Sequence, residues 1–376
     1  MAQHAEAGRS RTLNAVDVVV DADAHVTESV DQLLEYVDER DEGLRRIIED
    51  AAHPEHDIYS VAHPTPPFIH TEAFGDVYSD APTGSLAAKR AEMEEFELDY
   101  SILSPTLNLS LPTVNNDRAA VVMAKAYNAW VLDQFVEEGD DTILTPVVVP
   151  PQVPDRAAEM IDDRADEDGV IAVSVPSTGL VPPPGHRWYD PIYEAAEDNG
   201  LPLMFHSASG ATADIFPVMR KWTEVYAEDH AMVHPFTAMW NLTSMLFQAV
   251  PARYPDLQFV FQEAGVGWIP YTKWRLDDHY LELSDEVPGL DKLPSKYVDD
   301  QFYFSTQPLG YTGDHPEHMA KMIELVGPEN LMYASDLPHP DFDPPEELYD
   351  RIRGHLDDEA VRGIMGETAA DVFGLS

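Results

Sequence analysis

The chain of 376 residues contains no cysteine. Disulfides, thiolate metal sites and a cysteine nucleophile are therefore excluded, and any bound metal must be held by His, Asp or Glu. Positive charge is scarce. Lys and Arg together number 23 against 69 Asp and Glu, for a net charge of −46. A surface of that sign repels nucleic acid and anionic lipid. There is no continuous apolar run of about 18 residues, the length a membrane-spanning helix needs. Met1 to Leu13 lack the apolar stretch of a secretory signal, so the sequence reads as cytoplasmic. No strand-like segment leads into a GxGxxG or a phosphate-binding loop, and no internal repeat stands out.

Hydrophobic residues make up 44% of the chain, enough for a sizeable core. The acidic residues are spread along the chain and not gathered in one tail. That distribution fits a globular, halophilic protein, because salt screens the self-repulsion of so many like charges.

Short apolar segments alternate with helical ones. The strand-like segments are Ala15–Asp21, Tyr100–Ser104, Thr142–Val149, Gly169–Val175, Leu201–His206, Leu257–Gln262, Phe302–Ser305 and Leu331–Ala334. Between them lie segments with helical composition, such as Ala119–Val136 behind a capping Asn116, and Trp268–Leu283. Alternation of this kind predicts parallel strands joined by crossover helices, and eight such units predict an α/β fold, a (β/α)8 TIM barrel. Two longer stretches without periodicity, about 44–85 and 207–233, read as insertions after strands 1 and 5. The whole chain, 1–376, is expected to form one barrel domain, with about 26–85 as an insertion or cap.

Polar residues recur where strands end. Asp21, Asp23 and His25 follow the first strand, His206 ends the fifth, Glu263 follows the sixth and Asp336 follows the eighth. A barrel brings the C-terminal ends of its strands to one mouth, so these residues become neighbours. Asp23 and His25 are two apart, and an extended strand points them to one side. With His206 and Asp336 they offer two carboxylates and two imidazoles, a set that suits one divalent ion, Zn2+ or Mn2+. Taken singly, an Asp after a strand is most often a cap or turn former and a His most often a packing residue. The repetition at strand ends is what favours a metal site. The His-rich run His53, His56, His63 and His70 fits no standard metal spacing. Arg275 and Asp277 on one helix read as a structural ion pair.

The stretches DADAHVTES (Asp21–Ser29), PLMFHSAS (Pro202–Ser209), HPF (His234–Phe236), RYPDLQFVFQEAGVGWIPY (Arg253–Tyr271), LMYASDLPHPD (Leu331–Asp341) and IMGETAADVFGL (Ile364–Leu375) resemble the amidohydrolase-related family. The resemblance is to the branch of aminocarboxymuconate-semialdehyde and gamma-resorcylate decarboxylases. It implies that Asp23 and His25 form the first ligand pair, with Asp where many relatives have His. It further implies that His206 is the strand-five ligand, and that Asp336 both binds metal and helps activate water or a substrate oxygen. The decarboxylating relatives carry an acid/base His after strand six, where this chain has Glu263. A carboxylate there can move a proton but repels a substrate carboxylate. His234, read as the start of a helix beside Pro235, is the candidate to assist. Glu28 and His339 are candidate substrate-facing residues.

On this reading the protein is a divalent-metal-dependent hydrolase of a small carboxylate or aromatic substrate, because Glu263 weakens the transfer of the decarboxylase mechanism. A metal-dependent non-oxidative decarboxylase is the alternative, and a non-catalytic ligand-binding barrel the second. No nucleic-acid or membrane partner is expected. The sequence leaves oligomeric state open, and the resemblance allows a homodimer.

Overall fold

A computed structural model of the chain describes residues 13, 16–51, 85–136, 140–208, 226–339 and 341–375. Eight parallel strands pair in sequence order. They are β1 (Val20–Val26), β2 (Tyr100–Pro105), β3 (Ile143–Val148), β4 (Val170–Pro176), β5 (Leu203–His206), β6 (Phe259–Gln262), β7 (Phe302–Ser305) and β8 (Leu331–Met332). Three backbone hydrogen bonds draw β1 and the segment around β8 together: Ala22 N to Tyr333 O at 3.0 Å, His25 N to Leu337 O at 2.7 Å and Asp336 N to Asp23 O at 2.9 Å. The expected (β/α)8 barrel is what forms. Among the described residues no helix is long and apolar enough to cross a membrane.

Parallel strands covered on both faces read as near-continuous apolar runs, and here the apolar residues sort into two layers. Val20, Ala22, Ile102, Ala172, Met204, Val260 and Met332 fill the barrel and pack against Ala369, Val372 and Phe373 of the final helix Thr368–Phe373. That helix closes the N-terminal end of the barrel. Its approach needs Gly366, because a Cβ there would lie 2.2 Å from the Val18 carbonyl oxygen. The larger layer lies between the strands and the surrounding helices, and Val19, Ala24 and Val26 belong to it.

β1 therefore changes face partway. Val20 and Ala22 point into the barrel, yet so do Asp23 and His25. The register against β2 slips between Asp21 and Ala24, where three steps on β1 match two on β2. A bulge of this kind inverts the alternation once. It turns Asp21 to the outer side and Asp23 and His25 to the inner side.

The observed elements depart from the sequence reading in several places. β1 begins five residues later than expected, so Asp21, Asp23 and His25 lie within the strand and not after it. The stretch expected to be irregular from 44 is helical through Glu42–Ala51. The His-rich run 53–70 lies outside the described residues. The helix after β5 spans Tyr226–Phe247 and runs through Pro235, so His234 sits inside it and does not begin it. Proline ordinarily breaks a helix because it lacks an N–H and crowds the preceding turn, which is why the sequence places a boundary there. Arg275 pairs with Asp278 at 3.0 Å, whereas Asp277 accepts from Ser295 N at 2.8 Å. Helix residues two apart do not face each other, and those three apart do.

Candidate metal centre

Asp23, His25, His206 and Asp336 converge inside the C-terminal mouth of the barrel, each fully buried. Asp23, His25 and His206 bring ligand atoms within 4.8 Å of one another, and so do His25, Asp336 and His339. His25 Nε2 lies 3.2 Å from Asp336 Oδ1 and 3.6 Å from Asp23 Oδ1. His206 Nε2 lies 3.2 Å from Asp23 Oδ2 and 3.2 Å from His25 Nε2.

The tautomers follow from the partners. His25 Nδ1 is 3.0 Å from the Pro105 carbonyl, and His206 Nδ1 is 2.7 Å from the Ser207 carbonyl. A carbonyl only accepts, so each Nδ1 carries the proton and each neutral ring turns a lone pair inward at Nε2. Burial, then the charges of His339 and His206, hold His25 well below the ordinary imidazole range. Two lone pairs and two carboxylates thus face one point. Asp23 Oδ2 is buried there without a hydrogen-bond partner. This donor set fits a divalent cation, and the carbonyl-bound Nδ1 atoms are the outer partners that metal-binding imidazoles usually have.

Neutral side chains at other strand ends orient the cluster. Ser104, at the end of β2, donates to Asp23 Oδ1 at 2.6 Å. Gln262, ending β6, donates to the Ala22 carbonyl at 3.0 Å and reaches Ser104 Oγ at 3.4 Å. Gln307, past β7, donates to Asp336 Oδ2 at 3.0 Å. The sequence signal for these three is the one that marks the charged residues, position at the end of a strand, but nothing in their chemistry singles them out. Asp21 stands outside the cluster. It accepts from Ser335 N at 2.9 Å and from the Ser335 hydroxyl, tying β1 to the segment after β8.

His339 Nδ1 meets Asp336 Oδ1 at 2.6 Å, and its Nε2 lies 3.2 Å from Thr106 Oγ1. Burial opposes a charge on His339, but the charge and hydrogen bond of Asp336, with Asp341 and Asp23, outweigh it and raise its pKa. Burial pushes the Asp336 carboxyl up to about 6, against the pull of His339. The two form an ion pair able to hold and pass a proton. Glu28 has a different place. Its carboxylate accepts from Thr106 N at 3.1 Å, Asn108 N at 2.8 Å and Asn108 Nδ2 at 3.0 Å. It fixes the loop after β2, with its oxygens occupied by that loop.

Glu263 sits on the opposite side. Its Oε2 is 3.6 Å from His206 Nε2 and its Oε1 is 3.4 Å from His234 Nε2. Burial, then Asp336, Asp341 and Asp23, push its carboxyl well above the usual range. His234 is held well below its ordinary value, chiefly by burial, and its Nδ1 lies 2.8 Å from Ser207 Oγ. Glu263 and Asp336 have φ of 50° and 64°. Non-glycine residues adopt that left-handed region at a cost and concentrate at functional sites. Here it turns both carboxylates from their strand ends back into the mouth. A separate cavity lined by Gln258, Tyr303, Glu367 and Asp371 lies at the other end of the barrel and contains none of these groups.

Comparison with known proteins agrees with this fold. Residues 20–375 match the Amidohydrolase family. An amidohydrolase of Mycobacterium avium subsp. paratuberculosis superposes with a TM-score of 0.74 at 20% identity, over 95% of this chain and 99% of that one. The 5-carboxyvanillate decarboxylase of Sphingomonas paucimobilis gives 0.68 at 19% identity, over 96% and 99%. The dihydroxybenzoic acid decarboxylase of Polaromonas sp. JS666, solved with manganese and the inhibitor 2-nitroresorcinol, gives 0.67 at 15% identity, over 95% and 97%. At these identities the likeness is one of fold. No curated protein matches the chain by sequence. With a family match that runs from β1 to the closing helix, this chain belongs to the amidohydrolase family and is an enzyme, with its candidate metal ligands gathered in the barrel mouth.

Proposed function

We propose that the protein is a divalent-metal-dependent, non-oxidative decarboxylase of a small hydroxylated aromatic carboxylate. The observation that carries this reading is the Asp336–His339 pair at 2.6 Å, placed directly against the His25 Nε2 ligand atom, 3.2 Å from Asp336 Oδ1. Removal of carbon dioxide from an aromatic ring needs a proton delivered to the ring carbon that loses the carboxylate, and this pair is a proton carrier at the centre. Two of the structural neighbours are named decarboxylases of 5-carboxyvanillate and dihydroxybenzoic acid, which supports the same substrate class.

Asp23, His25, His206 and Asp336 would hold the ion, Mn2+ or Zn2+. When bound, it supplies a Lewis acid that fixes and polarises the substrate oxygens. The chain's own part is proton transfer and exclusion of water. His339 protonates Asp336, and Asp336 delivers the proton to the ring carbon. The bond from that carbon to the carboxylate then breaks, its electron pair restores the aromatic ring, and carbon dioxide leaves. Ser104, Gln262 and Gln307 keep the carboxylates in register while this occurs.

Hydrolysis is the second reading, and Glu263 is the observation in its favour, since a buried carboxyl pushed well above its ordinary range beside the centre is suited to take a proton from water. The test is to offer Mn2+-loaded protein a set of hydroxybenzoates labelled with carbon-13 in the carboxyl group, and in parallel a set of esters and amides. Labelled carbon dioxide released by wild type and lost in Asp336→Asn supports decarboxylation. Turnover confined to esters or amides, with oxygen from water entering the product, replaces it with hydrolysis.

A further inference from the structure

Glu263 presents a specific difficulty. The carboxyl groups of Asp23, Asp336, Glu263 and Asp341 border one mouth, and the His339 ring is paired with one of them, Asp336. Glu263 is also divided between two sets of partners. Its Oε2 faces His206 of the centre already described, and its Oε1 faces His234. His230, His234 and Glu263 form a ligand group of their own, with ligand atoms all within 4.8 Å of one another.

We propose that His230, His234 and Glu263 hold a second divalent cation, with the Glu263 carboxylate bridging it to the first. His234 is only 5% exposed, and its Nε2 is buried, faces Glu263 and makes no hydrogen bond. His230 stands one helical turn before His234 on the helix Tyr226–Phe247, its ring 5.1 Å from the His234 ring. Residues four apart on a helix share a face, which is the usual spacing for two imidazoles on one ion. Asp341 Oδ2, 3.9 Å from His230 Nδ1, adds a carboxylate at the rim. Two imidazoles and a bridging carboxylate suit the same borderline ions as the first centre, and carboxylate-bridged pairs of ions commonly stand about 3.5–4 Å apart.

The second ion removes the conflict with an anionic substrate. Glu263, committed to the two ions, no longer faces the substrate as a free carboxyl, and the second ion would attract a substrate carboxylate. This role rests on the decarboxylase reading, whereas the ion site itself rests on the geometry alone.

The test is metal stoichiometry and electron paramagnetic resonance of the full chain. Wild type, His230→Gln and His234→Gln are equilibrated by dialysis with micromolar Mn2+ in high salt, which suppresses weak binding to the acidic surface. Wild type is expected to hold two Mn2+ per chain with an exchange-coupled spectrum. Each variant is expected to hold one, with an uncoupled spectrum. His230 lies toward the rim, so His230→Gln carries the test if His234→Gln does not fold. A wild type holding one ion that is retained in both variants and lost in His206→Ala overturns the second site and leaves the decarboxylase reading standing. A wild type holding none overturns both.

Discussion

His25 and His206 meet Nε2 to Nε2 at 3.2 Å, and each has committed its Nδ1 proton to a backbone carbonyl. Two neutral imidazoles in that arrangement point lone pairs at each other where both rings are fully buried, and buried polar groups without partners cost most. Asp23 Oδ2, 3.2 Å from His206 Nε2 and itself without a hydrogen bond, adds negative charge to the same point. A cation at that point removes every one of these unfavourable contacts.

Ser104 should govern how tightly the ion is held. Its hydroxyl donates to Asp23 Oδ1 at 2.6 Å. Ser104→Ala should weaken Mn2+ binding by about 10–100-fold, the usual effect of removing a partner that orients a ligand. The melting temperature of the metal-free protein should stay nearly unchanged. Competition titration against a chelator measures the affinity. An unchanged affinity would mean that Asp23 is not a ligand.

Asp336 and His339 should separate in their effects. Asp336→Asn should lose both the ion and about 10²–10⁴-fold in turnover, the range of a proton-transfer group. His339→Gln should keep the ion, because His339 acts through Asp336, and lose a smaller part of kcat with little change in KM. Metal analysis and steady-state kinetics on the two variants check this. Loss of metal in His339→Gln would make His339 a ligand.

Asp343 should make stability depend on pH. Burial pushes its carboxyl up to about 6 from an ordinary 3.8, although Leu309 N donates to it. A carboxyl raised on folding favours the folded state most at low pH, and its ionisation costs stability progressively between about pH 4 and 6. Asp343→Asn keeps an oxygen for Leu309 and cannot ionise. It should raise the melting temperature by on the order of a few degrees above pH 6, with the gain vanishing below pH 4. Thermal unfolding across that range reads it, and a gain confined to low pH would reverse the assignment.

The net charge of −46 should make the fold depend on salt. Screening lengths fall from about 10 Å at 0.1 M to about 3 Å at 1 M, so self-repulsion among the surface carboxylates should fade over that range. The melting temperature should rise steadily with added KCl and level off in molar salt. A flat or falling curve would contradict adaptation to high salt.

The centre was legible in the sequence where charge and strand ends coincide. Asp23, His25, His206 and Asp336 were marked by metal-binding side chains at three strand ends, and the barrel topology places such ends together without knowledge of any contact. What stayed hidden depends on local geometry. Strict alternation puts Asp21 on the same face as Asp23, and only the bulge in β1 separates them. Pro235 reads as a helix boundary, yet the helix continues through it and carries His234 to Glu263. The left-handed turns at Glu263 and Asp336 leave no mark in residue type, since neither is glycine. Glu28 looks like any carboxylate near a metal motif until its bonds to Thr106 and Asn108 are seen.

The most direct test of the centre is anomalous diffraction at the manganese edge from crystals equilibrated with Mn2+. A strong peak bounded by Asp23, His25 Nε2, His206 Nε2 and Asp336 Oδ1 is the predicted result. Crystals that show no peak there, with His25 and His206 still facing each other, would contradict it.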